Sequence, residues 1–134
     1  MIQRNGADGG RRRVALYCRV STSDQDNDRQ ERDLNEYAER AGFEVVAVFR
    51  ETLSGIRKAK GKQPVERKRT MALAQAREID AVLVTELTRW GRSTQDLMDT
   101  LGQLSSWDVS LIAQTGLTFD LSTPQGKLIA NLMA

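Results

Sequence analysis

The stretch VALYCRVSTSDQDND, Val14 to Asp28, decides how this chain is read. Its first half, Val14 to Val20, is short, apolar and rich in β-favouring residues, the composition of a buried strand. Its second half, Ser21 to Asp28, is polar and turn-prone, so a strand ends where hydroxyl and acid groups gather. Downstream, a helix is expected from about Arg29 to Arg40, with Leu34, Tyr37, Ala38 and Ala41 on one face. Gly42 suits its C-terminal cap, and Glu44 to Phe49 (EVVAVF) reads as the second strand.

The alternation continues. Thr52 to Val65 is Gly- and Lys-rich with one proline and predicts a mobile loop. Arg69 to Arg77 carries Met71, Leu73 and Ala74 at helical spacing. Asp80 takes a turn position before the third strand, Ala81 to Thr85. Ser93 and Asp96 have capping-box spacing, ahead of an apolar stripe of Leu97, Met98, Leu101 and Leu104. Ser110 to Ala113 is the fourth strand, and Thr123 and Pro124 open a last helix that is still apolar at Ala134. Residues 1–12 show no apolar period and are expected to be a disordered basic leader. Strands alternating with helices predict an α/β fold: a mainly parallel sheet of four to five strands with helices on both faces. In such folds the functional groups sit at the carboxyl ends of the strands.

Composition narrows the chemistry. With 134 residues, 40% of them hydrophobic, the chain suits one domain with one core. It has no apolar run of membrane-spanning length and no secretory leader, so no membrane partner and a cytoplasmic setting are expected. It has no histidine, which excludes Ser-His-Asp and Cys-His catalysis and any His-ligated metal. No dinucleotide or P-loop motif is present, and neither a cofactor nor a metal is expected. The lone Cys18 lies inside an apolar strand and reads as a buried structural thiol; Trp90 and Trp107 read as packed. Net charge is only +2, but Arg11 to Arg13, Arg57 to Lys62 and Arg67 to Arg69 form basic clusters. Each suits a solvated loop as well as phosphate contact.

The first strand ends in Arg19-Val20-Ser21 and the third in Glu86-Leu87-Thr88-Arg89-Trp90-Gly91-Arg92. In a parallel sheet both ends lie on one edge, where a serine hydroxyl could meet Arg19, Arg89 and Arg92. Arg89 and Arg92 are three apart and share a face if the chain has begun a helix there. That set suits attack on a phosphodiester, whose transition state gathers negative charge that guanidinium forks can hold. Ordinary surface arginines and a serine N-cap account for the same spacing.

Tyr17-Cys18-Arg19-Val20-Ser21-Thr22-Ser23-Asp24-Gln25 resembles the nucleophile motif of the resolvase/invertase family of serine recombinases, a group of site-specific DNA recombinases. Leu87-Thr88-Arg89-Trp90-Gly91-Arg92-Ser93 resembles its second motif, Ser54-Gly55 its intervening loop motif, and Gly126-Lys127 the opening of its last helix. The resemblance covers about Arg13 to Ala134. It implies a catalytic core over 13–122 that cuts and rejoins DNA by transesterification, with Ser21 as the nucleophile joined to a 5′ phosphate. It further implies that Arg19, Arg89 and Arg92 contact the scissile phosphate and that Gln25 and Gln30 are active-site glutamines. Ser54 would stand near the phosphate, and Arg67 is the best match for an expected loop arginine.

Two departures stand out. Thr88 occupies a position where the family usually has aspartate, and threonine cannot act as a carboxylate base. Glu86 would point to the same side on a strand and could compensate, or be a solvated strand-end residue. The second departure concerns residues 123–134, which resemble only the start of the family's long dimer-interface helix. By resemblance the partners are double-stranded DNA and further copies of the chain, as dimer and tetramer, with a separate C-terminal DNA-binding region. Two other readings compete: a recombinase fold kept only for its dimer surface, and a small-molecule phosphate-binding domain.

Overall fold

The computed structural model describes residues 11–20 and 24–115, in 24–26 the backbone only. The elements run β1 (Arg13–Val20), α1 (Asp24–Ala41), β2 (Glu44–Thr52), α2 (Leu53–Lys58), α3 (Val65–Gln75), β3 (Ala81–Val84), a 3-10 turn (Leu87–Arg89), α4 (Thr94–Ser106) and β4 (Ser110–Ala113). The four strands form one sheet in the order β2-β1-β3-β4, and every pairing is parallel. The expected last helix, Thr123 onward, and most of the expected leader lie outside the described residues.

Strand alternation sorts the core into two layers. Val14, Leu16 and Cys18 of β1 pack with Leu34 and Ala38 of α1 and with Ala81, Leu83 and Ile112. Ala15 and Tyr17 face the other way, towards Met71 and Ala74 of α3, Trp90, and Leu101 and Leu104 of α4. Helices therefore cover both faces, and β3 and β4 are buried along their whole length. Burial pushes the Cys18 thiol up to about 12, in keeping with a structural role.

Three helices depart from the sequence expectation, and β2 runs on to Thr52 rather than ending at Phe49. Helix α1 starts at Asp24 rather than Arg29. Its first turn has no apolar period to read, but acidic residue types there suit the positive end of the helix dipole. The segment read as a mobile loop contains α2, whose N-cap Thr52 accepts a hydrogen bond from the Gly55 amide at 3.0 Å. Helix α3 runs over Val65–Gln75, directly after Pro64, rather than over Arg69 to Arg77. The remaining turn between α2 and α3 has left-handed backbone at Lys60 (φ 50) and Gly61 (φ 84).

Candidate active site at the carboxyl ends of the strands

Arg19 is the next-to-last residue of β1 and half-buried. Its backbone is gripped by one side chain: Gln30 Oε1 accepts from the Arg19 amide (3.1 Å), and Gln30 Nε2 donates to the Arg19 carbonyl (3.0 Å). Gln30 thus continues the sheet's hydrogen bonding with its amide and locks α1 to the end of β1. Arg19 Nε is buried without a hydrogen-bond partner among the described residues. A buried donor of this kind calls for an acceptor beyond the described residues. Ser21 lies outside the described residues, one residue beyond the end of β1. Gln25 is in the first turns of α1.

The second strand end is built around a buried tryptophan. Trp90 is fully enclosed, stands edge-on to Tyr17 at 5.1 Å between ring centres, and donates from Nε1 to Thr100 Oγ1 at 2.9 Å. The arginines on either side of Trp90 border different cavities. Arg89 borders a cavity of about 580 Å3 that also touches Glu86, while Arg92 borders one of about 540 Å3 that also touches Thr88, Ile56 and Leu97. Arg19 lines both.

This corrects two expectations. Arg89 and Arg92 do not share the face of one helix: the 3-10 turn ends at Arg89, α4 begins only at Thr94, and the two arginines border different cavities. Nor do Glu86 and Thr88 share a strand face: β3 ends at Val84, so the two-residue alternation of a strand no longer applies, and the two residues border different cavities. Glu86 is exposed and lies 3.6 Å from Arg89 Nε. Ser54 sits exposed in the first turn of α2, its hydroxyl 3.2 Å from that of Thr52.

Arg67 is the third correction. It is not on a loop but in α3, and only 1% exposed. Its guanidinium makes a two-pronged ion pair with Asp96, donates to the Trp90 carbonyl (3.1 Å) and to Gln63 (3.1 Å), and lies against the Trp90 ring. The guanidinium of Arg67 holds the Asp96 carboxyl well below the usual carboxylate range. Asp96 also accepts from the Arg92 amide at 2.9 Å, so one carboxylate joins α3, the arginine turn and α4.

Sequence reasoning took Asp96 only as half of a capping box. Ser93 Oγ does accept from the Asp96 amide (3.1 Å), but the Asp96 carboxylate serves the arginines. It also missed Glu51, a buried carboxylate that accepts from Tyr17 Oη (3.1 Å) and from the Arg67 amide (3.0 Å). Nothing in the local sequence marks Glu51, since its partners come from β1 and α3. The guanidinium of Arg92 donates to the Gly61 (2.8 Å) and Lys62 (2.6 Å) carbonyls, which ties the α2–α3 turn to the second cavity's rim.

A parallel sheet whose central strand ends direct arginines into two adjoining cavities defines an α/β domain suited to binding phosphate esters. The profile of the family described as "Resolvase, N terminal domain" matches residues 14–134. The chain therefore belongs to the resolvase family of serine recombinases. It is 35% identical over 119 residues to the Transposon Tn552 resolvase of Staphylococcus aureus, covering 88% of this chain and 54% of that protein. It is 28% identical over 124 residues to Serine recombinase PinR of Escherichia coli (strain K12), covering 91% of this chain and 59% of that one. Among solved structures, the N-terminal catalytic domain of TP901-1 integrase superposes with a TM-score of 0.70 at 28% identity, covering 90% of each chain. The chain thus spans little more than half the length of the curated relatives it matches.

Proposed function

We propose that this chain carries the catalytic centre of a site-specific recombinase, which cuts and rejoins duplex DNA with Ser21 as nucleophile. Arg19 carries the reading. It stands two residues before Ser21, is half-buried, lines both arginine-bearing cavities and has an unsatisfied Nε among the described residues. A phosphate oxygen is the acceptor that such a donor lacks.

The reaction balances without an external energy source. The Ser21 oxygen forms a bond to phosphorus, and the bond from phosphorus to the 3′ oxygen breaks. The 5′ phosphate stays on serine, the serine proton passes to solvent, and the departing oxygen ends as a 3′ hydroxyl. One phosphoester replaces another, so attack by a 3′ hydroxyl reverses the step. Arg19, with Arg89 and Arg92 on either side, supplies fixed positive charge where the transition state gathers negative charge. Gln30 is a positioning residue that holds the Arg19 backbone. Arg67 and Asp96 position the arginine turn, and Thr88 borders the cavity where the family resemblance anticipates a carboxylate. The working unit is a dimer at each DNA site and a tetramer for exchange, acting in the cytoplasm, with DNA target choice in a separate C-terminal region.

The test is to incubate the full-length protein with its recombination site carrying a nick, so that the cut end cannot be rejoined. A covalent protein–DNA adduct that disappears in Ser21→Ala is the expected result. An adduct that survives Ser21→Ala, or none with the natural protein, overturns the assignment.

A further inference from the structure

We propose that the turn between α2 and α3 is an autoinhibitory latch on Arg92, whose guanidinium is contested between the turn's own carbonyls and a DNA phosphate. The inference rests on the DNA reading above and adds a means of regulating it. Arg92 Nη1 donates to the Gly61 carbonyl (2.8 Å) and to the Lys62 carbonyl (2.6 Å). That nitrogen carries two hydrogens, so the two acceptors use it up. Nη2 is turned towards Asp96, 3.4 Å away. A phosphate held end-on needs Nη1 and Nη2 together. Arg92 can therefore grip a phosphate in that way only after the turn has let go.

The latch can open without disturbing the fold. The Arg92 amide donates to Asp96 (2.9 Å), and Arg67 fixes Asp96 from the other side. The Arg92 backbone thus stays in place while its side chain changes partners. Both contacts to the turn are exposed, so water can satisfy the two carbonyls once they are released. An oxyanion is a stronger partner for a guanidinium than a neutral carbonyl, and the exchange favours phosphate when a strand is present. The shape of the turn holds the carbonyls in place. Lys60 (φ 50) and Gly61 (φ 84) are both left-handed, and the Lys60 and Lys62 amides donate to the Arg57 (3.1 Å) and Ala59 (2.9 Å) carbonyls. Backbone preference at Lys60 and Gly61 therefore sets how firmly Arg92 is held.

The latch is tested by the affinity of the full-length protein for a duplex at fixed salt and by the rate of Ser21 adduct formation on a nicked site. Gly61→Ala keeps the charge, and nothing lies within 4 Å of the added carbon, so it weakens only the left-handed turn. It is expected to tighten binding about fivefold and to speed adduct formation. Lys60→Val and Lys60→Gly lose the same charge, yet valine resists left-handed backbone and glycine accepts it. Lys60→Val is expected to bind roughly threefold more tightly than Lys60→Gly. In Arg92→Ala, which has no guanidinium to hold, adding Gly61→Ala is expected to change affinity by less than about twofold. Unchanged or weaker binding in Gly61→Ala, an adduct that forms but no faster, an equal or reversed order at Lys60, or the same gain in the Arg92→Ala background overturns the latch. Failure of the DNA reading looks different: duplex affinities in the expected order with no adduct in any variant remove the nucleophile and leave the latch.

Discussion

At the scale of single residues, the Arg67–Asp96 pair organises the site without forming part of its open surface. The Arg67 side chain is 2% exposed and that of Asp96 14%. A charge so enclosed cannot be left without its counter-charge, since the desolvation cost of one partner is offset chiefly by the other. Asp96→Ala is therefore expected to destabilise the fold by about 3–5 kcal/mol, read from urea midpoints at pH 7. The hydrogen bonds from Arg67 depress the carboxyl's ionisation, so its contribution has a definite sign. It is complete above the unfolded carboxyl value of about 4 and is lost as pH falls through that value towards the lower folded one. The natural protein should lose stability on moving from pH 5 to pH 2, and the Asp96→Ala variant should lose measurably less. Equal losses in both would show that the pair contributes nothing to acid sensitivity.

At the scale of elements, one device closes three helices. After α1, the Phe43 amide donates to the Ala38 carbonyl (2.8 Å) and Gly42 to Glu39 (3.1 Å), with Gly42 at φ 76. After α3, Glu78 donates to Leu73 (3.0 Å) and Arg77 to Ala74 (3.0 Å), with Arg77 at φ 59. After α4, Val109 donates to Leu104 (2.9 Å) and Asp108 to Ser105 (3.0 Å), with Asp108 at φ 63. This is the Schellman closure, and each instance leads the chain towards the next strand. Only the first carries the glycine that advertises it, which is why the end of α1 was legible and that of α3 was misplaced to Arg77. The strain differs accordingly. A side chain in left-handed backbone costs about 1–2 kcal/mol, partly offset by the entropy glycine loses on folding. Arg77→Gly should raise stability by roughly 0.5–1 kcal/mol, and Gly42→Ala should lower it by roughly 1 kcal/mol. The Gly42 change meets no steric clash, since nothing lies within 4 Å of the added carbon, so thermal denaturation would report the backbone cost alone.

At the scale of the whole molecule, the sheet order β2-β1-β3-β4 makes β1 and β3 neighbours, and that adjacency creates the site. Arg19 comes from one strand end and Arg89 and Arg92 from the chain that follows the other. Charge is concentrated there while the chain as a whole is only +2. Few phosphate contacts and little net field mean weak, salt-sensitive association. Residues 1–134 alone should bind duplex DNA with a dissociation constant in the range of about 1–100 μM at physiological salt, by fluorescence anisotropy. Nanomolar, sequence-specific binding by those residues would contradict the view that target choice lies elsewhere.

The sequence by itself determined the strands, the parallel α/β layering and the family. Apolar runs such as VALYC and AVLV can only be buried on both faces, and Arg19, Arg89 and Arg92 stand in motifs that local order preserves. Tertiary structure decided how those arginines are shared between cavities. Arg89 and Arg92, on either side of the buried Trp90, border different cavities, which no residue spacing encodes. It also turned Arg67 from a loop residue reaching for phosphate into the buried partner of Asp96. Ion pairs across 29 positions, like the Glu51 bridge between Tyr17 and Arg67, exist only when distant segments meet, and a one-dimensional pattern carries no trace of them.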